Sequence, residues 1–255
     1  MTVQPERNRP LRILTVYAHP DDEAFGPSAS LARYARDGAE IQGIFATTGE
    51  EGNTSVEPVP SPEDLAALRE QDTRDAGEVI GYRMLHFLRY HDGTLKDVPT
   101  EELSHRVYSI IEDFDPDIVT TFGPAGITGH PDHCAVHHAT VGAVKKAKEQ
   151  GLSVSALFYD TVSGDAVEEM GLADSPDGQT NTWIDVTETQ HLKVEALRIH
   201  GRHIRDAADA ADQMEQDAAD SHWATFHRAW PVVPDGETLY GFLEDRTPAE
   251  SVATD

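Results

Sequence analysis

The sequence predicts an α/β fold, a mostly parallel sheet with helices on both faces. Two observations carry that expectation. Short runs rich in apolar and β-branched residues alternate with longer amphipathic runs through residues 11–159, which is the pattern of repeated strand–helix units. In addition, two histidine-bearing turns, His19-Pro20-Asp21-Asp22-Glu23 and His130-Pro131-Asp132-His133, each come after a strand pattern. Ligands of open α/β sheets bind at that carboxyl edge.

The elements follow in order. Residues 11–17 read as a strand and 28–36 as a helix that Gly38 stops. Residues 40–47 form a second strand. Ser61-Pro62-Glu63-Asp64 opens a helix reaching Ile80: serine caps, proline takes the first position, and acids sit at the positive dipole end. Gly81 ends that helix, and residues 84–87 or a little beyond make a short third strand. A helix over 100–113 stops before Pro116, and residues 118–122 form the fourth strand. Pro131 starts a helix to Glu149, and residues 156–159 are the fifth strand. Beyond it the pattern weakens. Residues 163–182, rich in Gly and Asp, read as a lid or capping loop, and 183–186 as a short strand. Thr187-Glu188-Thr189-Gln190 resembles a capping box for a helix to His200. Residues 206–220 suit an acidic helix, 239–243 an edge strand, and the last ten residues disorder. The whole reads as one Rossmann-like domain over 1–255. Its core spans about 11–200, and 201–255 form an acidic helical extension and C-terminal cap region.

The formal net charge is −26. That excludes nucleic acid and anionic membranes as partners, since both attract basic surfaces. Only five lysines occur, and this acidic surplus suits a salt-rich cytoplasm. A single cysteine, Cys134, permits no intrachain disulfide and fits a reducing compartment. Residues 1–10 are polar, unlike a signal peptide, and no apolar run approaches a membrane span. A soluble cytoplasmic protein is expected, with homo-oligomerisation left open.

One His-Pro-Asp turn alone is more often a cap than a ligand set. Two at strand ends, one continued by Asp-Glu, point to a single metal site built from both. Candidate ligands are His19, Asp22 and one or both of His130 and His133. Four protein ligands would close a site that hydrolysis needs open. The economical set is therefore His19, Asp22 and His133, with His130 beside the metal for catalysis. Imidazole and carboxylate donors suit zinc and also permit other divalent metals. His137 reads as support for the site and Cys134 as a small buried residue. His200, His222 and the remaining histidines lack comparable context and read as surface or core residues.

These motifs resemble the PIG-L/LmbE superfamily of zinc-dependent N-deacetylases. The resemblance rests on Ala18-His19-Pro20-Asp21-Asp22-Glu23, Thr48-Gly49-Glu50-Glu51-Gly52, Arg69 with Asp72, Asp92-Gly93, and Gly129-His130-Pro131-Asp132-His133 with His137. It implies zinc on His19, Asp22 and His133, and Asp21 as general base. It also implies His130 assisting the oxyanion and leaving group, with Glu50, Arg69 and Asp92 near the sugar hydroxyls. On this reading Asp132 orients a protonated His130. The resemblance further implies a small-molecule substrate, an N-acetylated amino sugar related to N-acetylglucosamine conjugates. Many relatives carry His-x-Ser-Gln where this chain has His200-Gly201-Arg202-His203. The alternatives are a sugar- or metal-binding protein on a decayed deacetylase fold, and a metal-dependent phosphoesterase. The latter is disfavoured by the lack of a basic phosphate-gripping cluster.

Crowded acids repel one another, and salt screens that repulsion over a Debye length of about 10 Å near 0.1 M. The melting temperature is expected to rise with potassium chloride into the molar range. A thermal-unfolding series in which it stays flat or falls would remove the salt-rich reading.

Overall fold

The computed structural model describes residues 9–216, 223–233 and 237–242. The polar N-terminal segment up to residue 8, residues 217–220 of the acidic helix, His222, Leu243 and the last ten residues lie outside them. The chain runs through β1 (Arg12–Tyr17), α1 (Asp22–Phe25), α2 (Ser28–Arg36), β2 (Glu40–Thr47), α3 (Pro62–Ile80) and β3 (Tyr82–Tyr90). It continues with α4 (Thr100–Phe114), β4 (Ile118–Thr121), α5 (Gly126–Gly129), α6 (Pro131–Glu149) and β5 (Ala156–Asp160). The last part holds α7 (Ala166–Glu169), β6 (Thr182–Asp185), α8 (Gln190–His200), α9 (Arg205–Gln216), β7 (Trp223–Trp230) and β8 (Leu239–Tyr240).

These strands make one mixed sheet in the order β3-β2-β1-β4-β5-β7-β6-β8. The first five pair in parallel, β7 is antiparallel to both neighbours, and β8 joins parallel to β6. Successive side chains of a strand face opposite ways, and β1 divides accordingly. Leu14 and Val16 join a core that includes Leu103 and Ile111 of α4 and Val136 and Ala139 of α6. Ile13 joins the opposite core with Leu31 of α2, Ile80 of α3 and Leu197 of α8. Strand order reverses at β1 and β4, which pair through Ile13↔Ile118, Leu14↔Val119 and Thr15↔Thr120. The two histidine-bearing turns therefore leave neighbouring strands at the switch point of the sheet, where crevices form.

Local chemistry accounts for most boundaries. Ser61 Oγ accepts from Asp64 N at 3.1 Å, Pro62 opens α3, and Gly81 closes it at φ 97°. The capping box before α8 does not form. Thr189 is the N-cap without a side-chain cap bond, and its hydroxyl donates instead to Ala29 O at 2.7 Å, tying α8 to α2. β3 is longer than expected, and β7 was not anticipated. Its sequence has no continuous apolar run, and only Phe226 is fully buried in it. Among the described residues no helix is long and apolar enough to cross a membrane.

Leu14 is fully buried in the central strand. Leu14→Ala is expected to cost about 2–5 kcal/mol, by lost burial plus a residual cavity. In urea unfolding this lowers the midpoint while leaving the m-value unchanged.

Candidate active site

The β1 turn is built around an unusual backbone. Asp21 lies at φ 101°, ψ −25°, a left-handed region that non-glycine residues rarely occupy and that costs on the order of 1–3 kcal/mol. Its N–H donates to Glu23 Oε2 at 3.1 Å, and its carbonyl accepts from Ala24 N and Phe25 N. Asp22 Oδ2 accepts from His19 N at 2.7 Å, so the turn fixes Asp22 beside His19. After β4, Ile127 is also left-handed at φ 59°, severe for a β-branched residue. Its N–H donates to Asp177 Oδ1 at 2.9 Å, and Ala125 N donates to Asp177 Oδ2 at 3.0 Å. Asp177 belongs to the stretch read as a lid, and it is fully buried as a support for this loop.

The two turns bring three groups together. His133 Nε2 lies 3.2 Å from His19 Nδ1, His19 Nδ1 is 3.5 Å from Asp22 Oδ2, and His133 Nε2 is 3.4 Å from Asp22 Oδ1. The remaining ring nitrogens point away from this centre. His133 Nδ1 is 3.0 Å from Gly126 O. His19 Nε2 is 3.0 Å from Asp92 Oδ1 and 3.5 Å from Asp132 Oδ2, although neither oxygen lies along its N–H direction. Two imidazole lone pairs and a carboxylate thus converge, and the far nitrogen of His133 is backed by Gly126 O, as ligating histidines are held. This donor set fits a divalent cation. His130 is close as well, its donor atom within 4.8 Å of those of His19 and His133. A second group within the same reach, His19, Asp92 and Asp132, could also hold an ion. Its carboxylates are already engaged: Asp132 accepts from Gly93 N and Leu95 N, and Asp92 Oδ2 accepts from Glu51 N.

The other expected residues fall into distinct places. Asp21 Oδ2 accepts from Arg69 Nη2 at 2.9 Å, and Arg69 also donates to Pro20 O and to Gly49 O. Its two terminal nitrogens therefore tie the two loops to Asp21, while Nε has no hydrogen-bond partner among the described residues. Glu50 does not line the cavity; its oxygens accept from Asp92 N and Thr48 Oγ1. His130 caps α6, its Nδ1 accepting from Asp132 N at 3.2 Å. The carboxylate of Asp132, fully buried, serves the Gly93–Leu95 backbone and not the His130 ring. His137 Nδ1 is 3.0 Å from Phe122 O, holding the loop after β4. Cys134 is half-buried, not buried as expected.

Electrostatics follow from crowding. Burial opposes charge on His19, but Asp132, Asp22 and Asp92 outweigh it and raise its pKa well above the imidazole range. Burial likewise opposes charge on His133, and Asp22 outweighs it. Both shifts mark a centre that favours positive charge. Burial would raise Asp22, yet His133 and His19 hold it well below the usual carboxylate range. Burial pushes Asp21 up to about 6 against the pull of Arg69. His130 is lowered by burial and by His19 and His133. With Nδ1 accepting a bond, its neutral ring carries the proton on Nε2.

A cavity of about 620 Å³ opens over these groups, lined by His19, Asp21, Asp22, His130 and His133 and walled by Phe25, Phe122, Ile127, Val162 and Ile204. Asp160 also lines it and was not anticipated. Tyr17 Oη donates to it at 2.6 Å, and burial pushes its carboxyl up to about 7. Its signal was a charged residue directly at the carboxyl end of a parallel strand pattern. The Phe122 ring stacks on His133 at 4.0 Å between centroids.

The family described as PIG-L, GlcNAc-PI de-N-acetylase, matches residues 14–144. The chain is 30% identical over 259 residues to the 1D-myo-inositol 2-acetamido-2-deoxy-alpha-D-glucopyranoside deacetylase of Kineococcus radiotolerans, covering 80% of this chain and 72% of that protein. Among solved structures it resembles the N,N'-diacetylchitobiose deacetylase of Pyrococcus horikoshii, with a TM-score of 0.65 at 20% identity over 85% of this chain and 83% of that one. It also resembles the 4-carboxy-2-hydroxymuconate hydratase of Pseudomonas putida, with a TM-score of 0.64 at 15% identity over 88% and 98%. The fold is thus shared by enzymes of different chemistry.

His133 turns its Nε2 to the centre, beside His19 Nδ1, whereas the neighbouring Cys134 sulfur faces Gly126. Elemental analysis after dialysis is expected to find a divalent metal in the parent and in Cys134→Ser, and to find most of it lost from His133→Ala. Equal content in all three would discard the ligand set.

Proposed function

Since the chain belongs to the PIG-L family, we propose that it is a zinc-dependent hydrolase that removes the acetyl group from an N-acetylglucosamine conjugate, releasing acetate and a free amine. The observation that carries this reading is the convergence of His19 Nδ1, His133 Nε2 and Asp22 with Asp21 alongside, in one cavity. Its similarity to an inositol glycoside deacetylase favours a sugar linked to a small polar aglycone.

His19, Asp22 and His133 would hold the cation. When bound, it supplies Lewis acidity, which polarises an amide carbonyl and makes water acidic near neutral pH. The residues of the chain do the rest. Arg69 occupies Asp21 Oδ2, which leaves Oδ1 to accept the proton of the attacking water. A carboxyl near 6 is suited to that exchange at neutral pH. The water oxygen bonds the carbonyl carbon, and the oxygen that gathers negative charge meets the Nε2–H of His130. A neutral His130 serves here, in place of the protonated one expected from the sequence. The carbon–nitrogen bond then breaks, and the proton taken up by Asp21 leaves with the amine, directly or by way of His130. Asp92 and Arg69 line the cavity where the sugar sits, and Glu50 acts on it only through the Asp92 loop.

The two adjacent aspartates are expected to separate. Asp21→Asn keeps shape and metal but loses acetate release from an N-acetylglucosamine conjugate by roughly 100-fold or more. Asp22→Asn weakens metal binding, and excess zinc restores part of its activity but none of that of Asp21→Asn. An Asp21→Asn enzyme turning over at the parent rate would overturn the mechanism. Loss of metal from Asp21→Asn would exchange the two roles.

A further inference from the structure

Asp21 is held by more than its own turn. Glu23 Oε2 accepts its N–H at 3.1 Å, and the other oxygen of the same carboxylate, Oε1, lies 2.6 Å from His200 Nε2. Glu23 and His200 are each only 1% exposed. His200 is the last residue of α8, far along the chain from the turn it touches. Lys193, two turns earlier on that helix, donates to Phe25 O and Gly26 O at 2.5 and 2.7 Å. One helix therefore grips the β1 turn at both ends of α1. Among the described residues the Asp21 N–H has Glu23 as its partner, and a left-handed backbone persists only where such surrounding bonds hold it.

On the deacetylase reading above, we infer that Glu23 and His200 are positioning residues: the pair holds Asp21 in its left-handed conformation and so aims its carboxylate into the cavity. His200 touches neither the three converging donors nor the cavity, so it acts through Glu23. A donor at the His200 Nε2 position is what the arrangement requires. Without it the Glu23 carboxylate is free to turn away from the Asp21 N–H, and the turn can relax toward ordinary φ.

The test compares the parent with His200→Ala and His200→Gln, whose side-chain amide can place an N–H near the Nε2 position. Acetate release from an N-acetylglucosamine conjugate, metal content and crystal structures are measured for each. The expected result for His200→Ala is a kcat lowered 10-fold or more, with KM and metal content near the parent's and Asp21 moved out of positive φ. His200→Gln, or imidazole added to His200→Ala, restores much of kcat. If the alanine variant does not fold, His200→Leu, which fills the space without a donor, takes its place. Parent kcat in the donor-less variant, or Asp21 unmoved in its structure, would overturn the inference. A parent enzyme that releases no acetate would count against the deacetylase reading alone, and the position of Asp21 in the variant structures would still decide this one.

Discussion

Asp21, Asp22, Asp92 and Asp132, each less than a tenth exposed, share one crevice with His19 and His133. Buried carboxylates are costly unless each is paired or hydrogen-bonded. Much of the surrounding structure answers that demand. Arg69 is drawn between two loops to meet Asp21, and the backbone N–H groups of Gly93, Leu95 and Glu51 turn toward Asp132 and Asp92. Those bonds in turn fix the loop after β3. The two imidazoles mark a centre that favours positive charge, and a bound divalent cation would supply it without a proton.

Chemistry here is set by loops and not by the sheet. A hydratase and a deacetylase share the fold at TM-scores of 0.64 and 0.65, as expected when function resides in sites grafted onto a common frame. The sheet contributes one thing, the reversal of strand order at β1 and β4. It sets two turns side by side that are distant in the chain. Phe122 and the carbonyl of Gly126 then orient the His133 ring from within the second turn.

The parallel half of the sheet was legible because each element there carries its own signals. Ser61 and Gly81 bound α3, and Pro131 starts α6 with His130 as its cap. The motif residues were legible for the same reason, since His19 and Asp22 are three apart on one turn. What the sequence left unread depends on distant partners. β7 has no continuous apolar run and earns its place by pairing between β5 and β6. The capping box at Thr187–Gln190 obeyed a local rule that lost to a tertiary bond between Thr189 and Ala29. Arg69, Glu50 and Asp132 stood out in the sequence, but which atoms they grip did not. That choice is made by loop backbones brought together only in the folded chain. Asp160 and His200 gave faint signals, because a lone acid at a strand end or a lone histidine in a helix is usually unremarkable.

The left-handed Ile127 rests on Asp177, and Asp177 lies past residue 144, where the family match ends. The residues that name the family and the residue that keeps one of its loops in shape are therefore in different parts of the chain. A chimaera that joined residues 14–144 of this protein to the remainder of a relative would keep every motif. It would inherit a foreign prop beneath the loop that presents His130 and His133, and it would have to supply a carboxylate there to hold the same cavity wall.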